Sequence, residues 1–482
     1  MSISSALNNA VSGLTASSRM AEVVSSNLSN ALTESYGRRS VDLSAAQVGG
    51  KGAGVRIDGI SRFSDPALLA DRRLAETALN ATQRDAQALV RLENSLGGAD
   101  STTGLAARFA AFEKALISAS SDPAAENRLI AVVTRLGDLA SALNESTRTT
   151  QGQRQQADAA IATDVEKLNT GLRQVADLNK DIQRVKASGN DPSGLLDARQ
   201  QLVDEIATIV PLREFQREDG TVALMTVTGT NLLDGRPVQF GFVRAPTITA
   251  DMSFASGALG GLTLNGVPLN PNTGIGRLGG GSLGAAFHLR DDVMVGVQSG
   301  LDMIAADLIS RFQDPANDPT MVPGGAGMLT DLGNPFDPGD LPGLAGRLVL
   351  NAAIDPLRGG DPTLLRDGLN AAAAGPAGSS TQLDRWLTAL SAPRSDVAGS
   401  STRSAIGRIA EFTADIGAKR LAAETAQSFA AAKWDSLRQA ELANGVDTDF
   451  ELQILLRVEQ AYAANAKVIQ TINLLMQRLM EI

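Results

Sequence analysis

The last stretch of the chain, GVDTDFELQILLRVEQAYAANAKVIQTINLLMQRLMEI from Gly445 to Ile482, limits most strongly what the rest can become. Stepping three and four residues at a time from Leu455 gives Leu455, Val458, Tyr462, Asn465, Ile469, Ile472, Met476 and Leu479, an a/d heptad seam with one polar member. Thr448 and Glu451 have capping-box spacing, and no proline follows. The spacing therefore predicts one helix to the C-terminus, roughly 50 Å long. A seam so narrow on a helix so long needs a partner to cover it.

The opening residues offer one. Ile3, Leu7, Ala10, Leu14, Ser17, Ala21, Val24, Leu28 and Ala31 form a second heptad seam built from smaller side chains. Such a helix is weak alone, because nucleation is costly and the stripe is thin, so it should order by packing. The plain alternative is that both seams belong to ordinary core helices of a bundle. Asn465, at a d position, reads as a register-setting residue.

Between the ends, residues 34–59 are rich in Gly and Ser with short β-prone runs such as Val55 to Ile57, and read as an extended connector. Asp65-Pro66 has the form of an N-cap with proline at the first helical position. Leu68, Ala75, Leu79, Ala86, Leu89 and Leu96 then share a face, up to a stop at Gly97-Gly98. A shorter helix is expected over residues 104–118. Asp122-Pro123 opens another, whose periodicity continues to Lys186 with a break at Gly152, and Leu195 to Val210 is a further helix ended by Pro211.

There the texture changes. Fifteen of the eighteen prolines fall from Pro211 to Pro393, so a helical rod cannot continue through the middle. Asp219-Gly220 and Asn265-Gly266 lie between short β-prone runs and signal hairpins. A helix over residues 283–312 interrupts this block, residues 313–378 are loop-rich with short strands such as Arg347 to Leu350, and residues 381–390 and 404–443 return to helical periodicity. The expected fold is mainly α with a β-rich middle. Its terminal helices form a coiled coil (1–45 with 446–482), an elongated helical-bundle mixed domain follows (46–312 with 381–445), and a small inserted β/loop domain completes it (313–380).

Composition narrows function. A formal charge of −10 opposes nucleic-acid binding, which needs concentrated positive charge. The absence of cysteine removes thiolate metal sites and cysteine nucleophiles, and a single histidine removes most histidine-based ones, so no cofactor or metal is expected. The first eighteen residues carry no basic side chain, unlike a cleaved secretory signal, and no window reads as a membrane span.

The catalytic motifs are weak. Gly274 to Gly279 matches GxGxxG, but Asn270-Pro271-Asn272 stands where a buried strand would have to lead into it. Gly280-Gly281-Ser282-Leu283-Gly284 matches the GxSxG nucleophile elbow, with the lone His288 six residues on, too close for the usual triad order. Gly52 follows Gly50-Lys51 where a phosphate-binding loop needs Ser or Thr, and Asp291-Asp292, Asp314 and Asp318 lack calcium-loop spacing. No catalytic residue is assigned.

Other segments carry a resemblance. SSNLSN (Ser25 to Asn30), SYGRRS (Ser35 to Ser40) and YAANAKVIQTINLLMQRLMEI (Tyr462 to Ile482) resemble the end signatures of bacterial flagellar axial proteins. SDPAAENRLI (Ser121 to Ile130), LLDARQQLVDEIATIV (Leu195 to Val210) and GSLGAAFHLRDD (Gly281 to Asp292) are similar to the hook-associated protein 1 family, the first of the two hook–filament junction proteins. Tyr36 precedes Gly37 where the family places Gly before Tyr, and the inserted segment is short.

The resemblance implies a non-enzymatic building block, exported by the flagellar type III route without signal cleavage to the hook–filament junction. There it would polymerise through its terminal helices. The implied partners are other copies of itself, hook protein, the second junction protein, and an export chaperone on the C-terminal helix, with neither nucleic acid nor membrane insertion. The assembly residues expected are Leu7, Leu14, Val24, Leu28, Leu455, Val458, Tyr462, Asn465, Ile469, Ile472, Met476 and Leu479. The alternatives are another axial protein, of hook or distal rod, and a serine hydrolase built on Ser282 and His288.

Overall fold

The structure is a computed structural model and describes residues 3–33, 35–48, 51–98, 101–269, 278–395, 399 and 401–481. Helix α1 (Ile3–Ser29) is followed by an antiparallel hairpin of β1 (Arg39–Val48) and β2 (Lys51–Arg62), where sequence suggested only an extended connector. The hairpin packs against α1, and the Val55 amide donates to Ser12 Oγ at 3.1 Å. Gly54 permits this approach: its φ is +96°, and a Cβ there would lie 2.0 Å from Ser12 Oγ.

Helix α2 (Pro66–Leu96) starts as expected. Asp65 Oδ1 accepts from the amides of Ala67 (3.0 Å) and Leu68 (3.1 Å), and Gly97 at φ +76° ends the helix. Helices α3 (Leu105–Ser121), α4 (Glu126–Ala187) and α5 (Ser193–Ile209) follow. At 62 residues α4 is unbroken at Gly152. One interior glycine costs about 1 kcal/mol, too little to break a helix packed along its length. Asp122-Pro123 lies in the turn before α4.

Strands β3 (Leu212–Gln216), β4 (Val222–Thr226), β5 (Asn231–Asp234) and β6 (Arg236–Pro237) form one antiparallel sheet in that order. Gly220, at φ +88°, sits in the β3–β4 turn. After β7 (Phe240–Gly241), strands β8 (Thr263–Leu264) and β9 (Val267–Pro268) pair through Asn265 (φ 50°) and Gly266 (φ 83°), the hairpin that the Asn-Gly pair announced. Helix α6 (Gly281–His288), a π-helical turn (Leu289–Val293) and α7 (Met294–Phe312) run consecutively. Then come β10 (Leu329–Asp331), α8 (Leu344–Arg347), β11 (Leu348–Leu350, antiparallel to β10), α9 (Leu364–Asp367) and α10 (Thr381–Ser391). The β12–β13 pair (Arg394–Ser395, Thr402–Arg403), α11 (Ala405–Ala443) and α12 (Thr448–Met480) complete the chain.

The chain divides into two compact units: residues 1–80, 166–240 and 429–482, and residues 81–165 and 241–428. Within the first, side-chain amides of α4 fasten strands. Asn179 accepts from the Val222 amide (3.1 Å) and donates to its carbonyl (2.9 Å), and Asn169 does the same with Phe240 (2.8 Å each way).

The second unit holds a continuous apolar core. It includes Leu129, Leu136, Leu301, Ile309, Leu344 and Leu365, so residues of the 313–380 segment share it. Phe109, Phe112, Phe312 and Trp386 meet edge-on in series, with centroids 6.4, 6.1 and 5.8 Å apart. Contrary to the sequence expectation, the Gly281–Phe312 stretch is apolar enough by length and composition to cross a membrane. Its burial here, with Leu301, Ala305 and Phe312 in the core, makes it a core helix.

Candidate functional site

Helices α1 and α12 pack together within the first unit. The direction is antiparallel, because Gly13 lies against Asn465 while Arg38, just past α1, reaches Glu451 near the start of α12. A Cβ on Gly13 would sit 2.7 Å from Asn465 Nδ2, so the polar d-position residue occupies space that glycine leaves open. Asn465 Nδ2 donates to the Ala461 carbonyl at 3.0 Å.

The anticipated seam residues divide into three groups. Val24, Val458 and Ile472 are buried; Leu7, Leu14, Leu28, Leu455, Asn465 and Ile469 are half-buried. Tyr462, Met476 and Leu479 are exposed, at 45%, 48% and 58%. Tyr462 flanks the contact, lining a surface hollow with Leu14, Ser18, Arg19 and Ile57, while Ala461 takes the covered position. Where small residues such as Ala10 and Gly13 bring two helices close, alanine fits between them and tyrosine is displaced sideways. Met476 and Leu479 lie beyond the described end of α1. Counting from Gly13 opposite Asn465, Ile3 falls level with about residue 475 at equal rise per residue.

The start of α12 differs from the capping-box expectation. Asp447, not Thr448, is the N-cap, accepting from the amides of Asp449 (3.0 Å) and Phe450 (3.1 Å). Glu451 is drawn away by Arg38, whose Nε donates to Glu451 Oε1 at 2.7 Å. The carboxylate is 1% exposed, and its second oxygen has no hydrogen-bond partner among the described residues. Arg38 also lies over the Phe450 ring, 5.2 Å from its centroid.

This ion pair belongs to a larger clasp at the base of the terminal pair. Asn27 Nδ2 donates to the Arg39 carbonyl (2.8 Å), and its Oδ1 accepts from the Arg39 amide (3.0 Å) and the Tyr36 hydroxyl (2.9 Å). Asp197 on α5 accepts from the Gly37 amide (3.0 Å), Arg39 (2.6 Å) and Arg62 (2.6 Å). About two turns further along α5, Asp204 receives Ser35 Oγ (3.2 Å), Arg72 (2.6 Å) and Arg73 (2.5 Å), while Arg72 also reaches Glu441 of α11 at 2.6 Å. Burial lowers Arg73's pKa, but Asp204 and Glu214 outweigh it and hold the guanidinium above its ordinary value. Burial raises Glu441 above the ordinary carboxylate range. The sequence motifs Ser25 to Asn30, Ser35 to Ser40 and Leu195 to Val210 are thus parts of one polar assembly.

The enzyme motifs find other work. Ser282 Oγ donates to Asp164 at 2.8 Å, and His288 Nδ1 faces Asp85 at 3.8 Å. Residues 274–277 of the GxGxxG match, the Asn270-Pro271-Asn272 before it, and Gly50 lie outside the described residues. Among the described residues no group of three or more His, Asp or Glu side chains is placed to hold a metal ion.

Comparison with known proteins places the middle of the chain. Residues 89–321 match the family model described as the flagellar hook-associated protein FlgK helical domain. That segment, a little under half of the chain, is similar to the FlgK helical domain. Over 246 residues it is 30% identical to flagellar hook-associated protein 1 of Escherichia coli strain K12, covering 48% of this chain and 44% of that protein. The Salmonella typhimurium protein of the same name matches equally at 30%, over 43% of its length, and the Bacillus subtilis one at 26% over 236 residues, 46% of each chain. The chain therefore spans a little under half the length of the curated relatives it matches. The solved structure of the flagellar hook junction protein FlgK from Burkholderia pseudomallei is similar at TM-score 0.44 and 20% identity, over 54% of this chain and 46% of that one. The FlgK helical-domain match covers α3 to α7; α1 and α12 fall outside it.

Proposed function

We propose that this chain is a structural subunit of the bacterial flagellum that joins hook to filament and polymerises through its terminal helices. The observation carrying the proposal is the half-covered state of the terminal pair. Helix α1 covers one face of α12, while Leu452 (48%), Leu456 (58%), Val468 (44%) and Leu475 (46%) stay exposed around the rest of that helix. A monomer with so many apolar side chains on one helix is built to be covered by something else. The relatives named hook-associated protein 1 support the same reading.

In this reading residues 1–45 with 446–482 are the assembly domain, and residues 313–380 are the small outer segment. The partners are further copies, hook protein, the second junction protein, and a chaperone holding α12 before export. The subunit works in the extracellular flagellum, reached by type III export, and catalyses nothing.

The test is Ile472→Asp, which sets a charge in the buried seam. The purified variant should keep its central helical domains by circular dichroism yet fail to enter filaments or restore motility. Normal incorporation would overturn the assembly role. A strain lacking the protein should show complete hooks without filaments; absent hooks would point to another axial component.

A further inference from the structure

The first unit contains a cleft of about 280 Å³ that the assembly reading leaves unused. Five cations line it, Arg62, Arg73, Lys186, Arg199 and Arg217, against one acid, Glu214. In a chain of net charge −10 that concentration is opposite to the average. Three of the five are neutralised from outside the cleft or at its edge: Arg62 by Asp197, Arg73 by Asp204 and Glu214, and Arg217 by Asp234.

Lys186 and Arg199 form no such ion pair among the described residues. Arg199 is 6% exposed and makes its hydrogen bonds through one amino nitrogen to neutral acceptors, Asn179 Oδ1 (3.0 Å) and the Gly220 carbonyl (2.7 Å). No carboxylate pairs with it or with Lys186 among the described residues. Both cations converge on Gly220. The position a Cβ would take on this glycine is 3.0 Å from Lys186 Nζ, so the bare turn lets the ammonium come close to the carbonyl that holds Arg199. Asp219, in the same turn, accepts from the Thr221 amide (2.9 Å) and hydroxyl (2.7 Å) through one oxygen; these bonds, with smaller contributions from Arg217 and Lys186, hold its pKa below the ordinary value, so Lys186 feels this acid without forming an ion pair with it. A buried guanidinium with only neutral partners is unfavourable unless an anion joins it. Burial depresses the Arg199 pKa; among its charged neighbours the attraction of Glu214 comes first, opposed by the like charges of Arg62 and Arg73.

We infer that this cleft binds a small multivalent oxyanion of the phosphate class, held between Lys186 Nζ and the Arg199 guanidinium. Charge-assisted bonds from two cations give such an ion both affinity and direction. Glu214 and the apolar side chains Leu69, Leu196 and Leu212 complete the lining and leave those parts unsuited to negative charge, which limits the ligand's size.

Titration of the full chain with inorganic phosphate, followed by calorimetry and thermal unfolding, tests this against sodium chloride at matched ionic strength, which controls for screening. Phosphate should bind saturably and raise the unfolding temperature where chloride does not. Lys186→Gln, at an exposed position, should weaken binding about tenfold. Arg199→Met should abolish binding with an unchanged circular dichroism spectrum. A phosphate response no greater than that of chloride, or one that persists in both variants, overturns the inference. So does binding of a glutamate-rich peptide that phosphate fails to displace, which would assign the cleft to a protein acid.

Discussion

The Arg38–Glu451 pair makes an asymmetric prediction. The two side chains are bonded at 2.7 Å, but Glu451 is 1% exposed and Arg38 is 26% exposed. Removing the acid leaves a guanidinium that water can still reach. Glu451→Gln should therefore cost only the difference between a charged and a neutral hydrogen bond, about 1–1.5 kcal/mol. Removing the base strands a carboxylate in a place water does not enter, with one oxygen already lacking a hydrogen-bond partner. Arg38→Ala should cost about 3–5 kcal/mol, including the lost stacking on Phe450. In the Arg38→Ala background, adding Glu451→Gln should recover about 2 kcal/mol, because the stranded charge is gone. Urea unfolding of the purified subunit followed by circular dichroism gives the three values, and hydrogen exchange over residues 3–29 shows whether α1 loosens with them. If Glu451→Gln proves as costly as Arg38→Ala, or the double variant recovers nothing, burial does not govern this pair and the reasoning fails.

Gly13→Leu should disrupt the α1–α12 contact, costing about 1–3 kcal/mol by overpacking, with partial recovery on adding Asn465→Ala; protease sensitivity of both ends reads it out, and an unaffected Gly13→Leu variant would refute the register. Gly54→Ala should cost about 2–3 kcal/mol through its positive φ and the clash with Ser12, measured by thermal unfolding against the neighbouring Gly59→Ala, where nothing lies within 4 Å of the new Cβ. His288 should titrate above its ordinary 6.5, since the facing Asp85 carboxylate outweighs the opposing effect of burial. Its folded-state pKa is raised, so its contribution to stability is complete below 6.5 and lost as pH rises through the higher folded value. The one imidazole in the NMR spectrum gives that value directly, and His288→Gln should flatten the unfolding temperature between pH 6 and 8.

Local signals were legible in the sequence because each acts through its neighbours. Asp65-Pro66 caps α2, Asn265-Gly266 turns β8 into β9, and the seams of α1 and α12 follow from spacing. The clasp carries no such signal. Asp197 and Gly37 are 160 residues apart, and charged side chains on an amphipathic helix read as solvated until their partners are known. The β1–β2 hairpin was hidden because Arg39 to Val48 mixes Ser, Ala and Gln with few β-branched residues. Tyr462 was misplaced on the seam because heptad spacing does not report how closely two backbones approach.

Arg38 and Glu451 lie 413 residues apart. A chain synthesised from its first residue has made α1, the hairpin, α5 and all of both units' earlier segments before the acid that completes the clasp exists. Until then Arg38 faces water and α1 has no cover along its seam. Helix α12, made after α1 and the elements between them, thus determines whether α1 is held, and a product cut short before Glu451 would carry a loose α1 as well as lacking α12.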